Sequence, residues 1–265
     1  MTELPDFLFS NQLSPIVENA NGKGGVVLIC EHAGQLLPKS LGSLGIDAEA
    51  MSAHIAWDIG AAELARALSK QLDAPLILQR YSRLVYDCNR VFDAADAIVV
   101  ESDNIVIPLN CNLSYEDRRD RFELVYFPFE DAIDRVIDDC VQQGRQPAII
   151  SIHSFTAVFK GLQRSLELGV IHDAVDSRLA DPILELAQKK GAFSVARNQP
   201  YEPRDGVTHT LVLHGIQRNL LNVMFEVRND LITDDKGQQQ WAQYLSALIT
   251  EALTLHSENA NASSI

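Results

Sequence analysis

The sequence predicts a three-layer α/β fold, with a mainly parallel or mixed sheet and helices on both faces. Two observations carry that expectation: short apolar runs recur along the chain, and stretches of helical periodicity separate them. A third supports it, since polar residues able to do chemistry gather where the apolar runs end. GVVLIC (25–30) is the first strand, and DIGAAELARALSKQL (58–72) is a helix with Asp58 at its N-terminal end. APLILQRYSRLVYD (74–87) reads as one or two strands, and FPFEDAIDRVIDDCVQQG (127–144) as an amphipathic helix closed by glycine. PAIISIHSF (147–155) and LELGVIHD (166–173) are strands, and DSRLADPILELAQKKG (176–191) is a further helix. NVMFEVRNDLI (222–232) is a late strand, QQWAQYLSALITEALTLH (239–256) a closing helix, and SENANASSI a polar, frayed tail. Segment 93–126, with its basic cluster YEDRRDR, fits no element and is expected to be an irregular insertion near the site.

No internal repeat, low-complexity linker or composition break divides the chain, so residues 1–265 are expected to form one domain with its core in 25–255. The formal net charge of −14 makes nucleic acid and anionic membrane unfavourable partners, while leaving room for a small anionic substrate held by local arginines. Cys30, Cys88, Cys111 and Cys140 form no CxxC pair and read as reduced thiols. MTELPDFLFSNQ lacks the basic start of a secretion signal, and no apolar run approaches a bilayer span, so a cytoplasmic protein is expected.

In open α/β sheets, ligands bind outside the carboxyl ends of the strands. Glu31 and His32 end the first strand, His153 and Ser154 lie near the end of the central one, and Glu226 and Arg228 lie in the last. A single strand-end histidine is more often structural, but two, with acids nearby, suggest a metal site. Asp58 has a second reading as a helix cap. Glu226 between Phe225 and Val227 costs several kcal/mol unless paired or functional, and Arg228 is its candidate partner. Arg83, Asn89 and Arg90 fall in RYSRLVYDCNRVFD, where apolar residues interleave with charge, so part of the stretch must be buried. Arginine's planar fork there suits a substrate carboxylate.

CEHAG, HIAWDIGAAELARAL, YSRLVYDCNR, IISIHSF and FEVRNDLI, in that order, resemble the N-formylglutamate amidohydrolase family over roughly residues 25–255. The resemblance implies a zinc-carboxypeptidase or phosphorylase/hydrolase-like fold and hydrolysis of an N-acyl amino acid, with formate and glutamate released in the type reaction. It implies that His32 and His153 bind a divalent metal, Zn²⁺, that Asn89 and Arg90 hold the substrate's α-carboxylate, and that Glu226 activates water. The wider superfamily, which includes aspartoacylase-like enzymes, carries His-x-x-Glu at the first strand, whereas here Gln35 stands in place of the glutamate. Glutamine is a poor zinc ligand. The third ligand is therefore expected from Asp58, with Glu31 and His54 as alternatives. Glu31 also stands where related enzymes have proline before the histidine.

The expected mechanism is metal-assisted amide hydrolysis with Glu226 as general base, while Arg83 or Arg228 binds a side-chain carboxylate or the developing oxyanion. A serine hydrolase built on Ser154 is disfavoured, because adjacent strand side chains point to opposite faces and no GxSxG elbow is present. From a different class, a non-catalytic binder of small carboxylic acids on the same fold is the alternative.

Overall fold

Apolar strands fill the middle of a seven-stranded sheet in the computed structural model, which describes residues 13–92 and 94–262. In chain order the strands are β1 (Ile16–Glu18), β2 (Val26–Cys30), β3 (Leu76–Leu78), β4 (Glu101–Ser102), β5 (Ile105–Val106) and β6 (Ala148–Phe155). They continue with β7 (Val158–Phe159), β8 (Leu162–Gln163), β9 (Leu168–Ile171), β10 (Val195–Arg197) and β11 (Asn222–Arg228). The large sheet runs β1-β3-β2-β6-β11-β9-β10, and β4–β5 and β7–β8 are separate hairpins. Neighbours among β3, β2, β6 and β11 pair in parallel, β1 is antiparallel at one edge, and β9 pairs antiparallel with β11. The helices are α1 (Ala48–Ser52), α2 (Ala61–Leu72), α3 (Tyr115–Arg121), α4 (Phe127–Gln142), α5 (Ala180–Lys190) and α6 (Asp235–Ala262).

Strand periodicity sorts the side chains between two cores. Val26, Leu28, Cys30, Ile150, Ile152, Phe225 and Val227 share one core with buried residues of α2, α5 and α6, including Leu64, Ile183 and Trp241. The alternate residues Val27, Ile29 and Ile149 share the other with Phe129, Ile133 and Ile137 of α4 and with the loops around 84–107. The first face is apolar along β6 until Ser154 near its end. On the second, Ser151 and His153 follow Ile149 at two-residue steps along β6, so this face carries polar groups toward the strand ends.

Several expectations need correction. The strand 166–173 exists as β9 but runs against β11, because only a short hairpin separates it from β6 and a parallel return needs a longer crossover. Of 74–87 only Leu76–Leu78 is strand; the Gln79 carboxamide oxygen then accepts the amides of Arg80 and Tyr81, and the backbone leaves the ladder. The closing helix runs on through the expected tail to Ala262, and 263–265 lie outside the described residues. So does the N-terminal stretch 1–12 that was read as lacking a secretion signal. The insertion is structured over its described residues 94–126: it holds the hairpin β4–β5 and helix α3, capped by Ser114 and Asp117. Its Arg121 fastens the fold by donating to Asn110 Oδ1 at 2.6 Å and to Leu109 O. The cysteines are free thiols, and no helix among the described residues is long and apolar enough to cross a membrane.

Candidate active site

Three adjacent parallel strands bring their polar residues to one place. Glu226 of β11 is the register partner of His153 of β6, and β2 on the other side of β6 leads directly into Glu31 and His32. The turn after β2 must pass very close to the chain beyond β3: a Cβ on Gly34 would lie 2.0 Å from the Arg80 carbonyl oxygen. Only glycine permits that approach, and this accounts for the glycine two residues after His32.

The Nδ1 atoms of His32 and His153 are 3.1 Å apart, and Asp58 Oδ2 lies 2.8 Å from the second and 3.4 Å from the first. All three residues are buried, and together they form a group able to hold a metal ion. Tetrahedral zinc with bonds of about 2.0–2.1 Å needs donors roughly 3.3 Å apart, so this donor set fits. Two imidazole nitrogens facing each other beside a carboxylate need a shared positive charge, which a cation can supply.

Each histidine has its own carboxylate behind it. His32 Nε2 is 2.8 Å from Asp87 Oδ1, which fixes Nε2 as the protonated nitrogen and frees Nδ1. His153 Nε2 is 3.2 Å from Glu31 Oε2, and the Ser151 hydroxyl donates to the same carboxylate. Glu31 therefore backs His153 across the sheet; it neither supports His32 nor joins the three donors. Burial raises the Glu31 pKa, but the neighbouring His153 outweighs it and brings the carboxyl down to about 2. For His153 burial works in the opposite sense, and Glu31 and Asp58 outweigh it, so the imidazole is pushed well above its ordinary value.

Asp58 is not a helix cap. Helix α2 begins at Ala61 behind Gly60, and the Asp58 carboxylate turns inward to accept the Ser154 amide at 3.2 Å. His54 faces Asp103 at 3.9 Å, away from the three donors, and Gln35 is exposed. The Ser154 hydroxyl donates to the Ile59 carbonyl.

A cavity of about 120 Å³ opens over the group, lined by His32, Asp58, Arg83, Asn89, Arg90, His153, Ser154, Tyr201, Asp205, Val207 and Glu226. Arg83 bridges Asp87 at 3.0 Å and Asp58 at 3.5 Å, so its charge holds two acids in place while lining the wall. Arg90 gives Nε to Asp96 and Nη1 to the carbonyls of Asn89 and Gly206; Nη2 has no partner among the described residues. The Asn89 carboxamide donates one hydrogen to Val207 O and accepts from Thr210 N. These bonds brace a side chain that also lines the cavity.

Arg228 also needs correction. Its Nε binds Asp230 at 2.7 Å and its Nη1 reaches the carbonyls of Arg164, Ser165 and Leu166, and it does not line the cavity. It clamps the chain before β9, and Glu226 has no salt-bridge partner among the described residues. Glu226 Oε2 is buried with no hydrogen-bond partner. Burial is the largest influence on this carboxyl, and although His153 opposes it the pKa rises to about 7.

Asp87, behind His32, and three lining residues, Tyr201, Asp205 and Val207, went unnoticed in the sequence. Asp87 stood in the quoted DCNR, and an acid between apolar neighbours was the available signal. Tyr201 lies in the loop after β10 and carries no local signal. It is brought in by tertiary approach, since a Cβ on Gly169 would lie 1.9 Å from the Gln199 carbonyl oxygen and 3.2 Å from Glu226 Cβ.

The family model for N-formylglutamate amidohydrolase matches residues 24–233. The chain belongs to the N-formylglutamate amidohydrolase family. As a member it is a hydrolase acting on amides. It is similar to the gene product Atu2144 from Agrobacterium tumefaciens, with 45% identity and a TM-score of 0.88 over 91% of this chain and 95% of that one. It also resembles the N-formylglutamate amidohydrolase from Ralstonia eutropha JMP134 in fold, with a TM-score of 0.66 at 15% identity over 92% and 99% of the two chains. No match was found among curated proteins.

Proposed function

We propose that this amidohydrolase cleaves the formyl amide of an N-formyl amino acid of the N-formylglutamate type, releasing formate and the free amino acid. The observation that carries the reading is a buried, unpartnered carboxylate, Glu226, in the same small cavity as the converging donors His32, Asp58 and His153. A divalent cation held by those three, Zn²⁺ by donor chemistry, supplies Lewis acidity toward the acyl carbonyl and toward water at neutral pH.

The chain's own residues do the rest. Glu226, with its pKa near 7, accepts a proton from the attacking water and returns it to the amide nitrogen as the C–N bond breaks. Arg90 directs its free Nη2 to the substrate's α-carboxylate. Arg83 supplies fixed positive charge beside the oxyanion that develops on the formyl oxygen. Asp87 and Glu31 hold the two imidazoles in the orientation that the donor group needs. Free, mostly buried thiols suit a reducing compartment, and we read the protein as cytoplasmic.

The test is to incubate the purified protein with N-formyl-L-glutamate, with and without prior treatment with a chelator, and to quantify formate and glutamate. Equimolar release that disappears on chelation and returns with Zn²⁺ is expected. A metal-replete protein that binds the compound and releases nothing would favour a non-catalytic binder.

A further inference from the structure

Beyond the α-carboxylate, the cavity has an unassigned cation near it. Arg83, Arg90 and Arg228 each lie within 3.0 Å of a carboxylate. Arg164 differs: among the described residues it has no carboxylate partner, and its only side-chain hydrogen bond runs from Nη1 to Thr156 O at 3.3 Å. In a chain of net charge −14, an arginine beside a cavity with no internal counter-ion is available to an anion from outside.

Its position is fixed from several sides. The guanidinium lies over the rings of Phe159, Phe155 and Tyr201 at 4.6, 5.5 and 5.9 Å. Its backbone N–H bonds Ala157 O, and its carbonyl accepts the Nη1 of Arg228. Stacking and backbone clamping hold the planar fork in one orientation before any ligand arrives. Phe155 follows His153 by two residues on β6, so both face the same side of the sheet about 6.6 Å apart at the usual strand rise. That step is close to the span from an N-formyl carbon to the far end of an extended glutamyl side chain. Tyr201 links the two regions: it lines the cavity and carries the Arg164 guanidinium on its ring, and its hydroxyl has no hydrogen-bond partner among the described residues.

We infer that Arg164, with the Tyr201 hydroxyl, is the specificity-determining site for the substrate's second, side-chain carboxylate. This assignment rests on the proposed deformylation. It differs from the expectation that Arg83 or Arg228 serves the side-chain carboxylate, because both are held by internal acids.

The experiment compares kcat/KM for N-formyl-L-glutamate and N-formyl-L-glutamine in wild type, Arg164→Gln and Arg164→Met; the two variants keep side-chain length over the aromatic rings. Inhibition by L-glutamate and L-glutamine is measured alongside. Wild type is expected to favour the glutamate substrate. Both variants should lose about 10–100-fold on that substrate, chiefly in KM, and stay within about twofold on the glutamine analogue, with the product inhibition shifting in parallel. Equal losses on both substrates, or no loss on either, would overturn the assignment alone. A wild type that cleaves neither compound would overturn the proposed reaction and this assignment with it.

Discussion

His32 and His153 face each other through Nδ1 atoms 3.1 Å apart, with the Asp58 carboxylate against both. Two imidazole nitrogens and a carboxylate converging in a buried site suit one shared cation. Purified protein is therefore expected to carry about one zinc-class ion per chain. His153→Ala should lose most of it and remain folded. Elemental analysis of His32→Ala and His153→Ala is the check, and full retention in both would dismiss this group as the metal site.

Asp87 leads to a separate expectation, because it is remote from the cation and acts through His32. Asp87→Asn removes the charge that receives the His32 Nε2 proton and one of the two acids held by Arg83. Metal affinity should fall about 10–100-fold, as it does when the carboxylate behind a ligating histidine is lost. Competition against a chelator of known affinity measures this. Unchanged affinity would mean that packing alone orients His32.

A buried pair outside the cavity sets a pH-dependent part of the stability. His214 is fully buried, with Nε2 against Glu130 Oε2 at 2.5 Å and Nδ1 3.2 Å from Asp134. Burial disfavours the charged imidazole, but Asp134 and Glu130 outweigh it and raise the pKa to about 9. Because this lies above the unfolded value of about 6.5, the stabilisation is complete below that pH and disappears as pH rises through about 9. Wild-type Tm should therefore fall between pH 7 and 10 more steeply than that of His214→Ala. At neutral pH the variant should be about 3–5 kcal/mol less stable. Parallel melting curves decide it, and identical pH slopes would show that His214 is not charged in the folded state.

Where local pattern set the outcome, the sequence was informative. The apolar runs became β2, β6 and β11, and His32, His153 and Glu226 reached one edge because those strands are parallel neighbours. Asp58 could be named as a donor but not distinguished from a helix cap until the chain was seen to turn at Gly60. What remained hidden depends on partners distant in sequence. Arg228 looks like the natural partner of Glu226 two residues away, yet three carbonyls of 164–166 and Asp230 take its guanidinium. Glu31 adjoins His32 in sequence, yet it serves His153 on the next strand. Tyr201 enters the cavity only because the loop after β10 packs on Gly169.

The most direct test of the account is Glu226→Gln, with kcat for N-formyl-L-glutamate and Tm measured on the same preparation. The substitution keeps size and removes both the charge and the ability to take a proton. Loss of a general base costs about 10²–10⁴-fold, so kcat should fall at least a hundredfold while metal content is unchanged. Because Glu226 Oε2 has no hydrogen-bond partner and no ion pair holds the carboxylate among the described residues, Tm should stay the same or rise. A variant that melts lower but turns over like wild type per folded molecule would contradict the account and return Glu226 to a structural role.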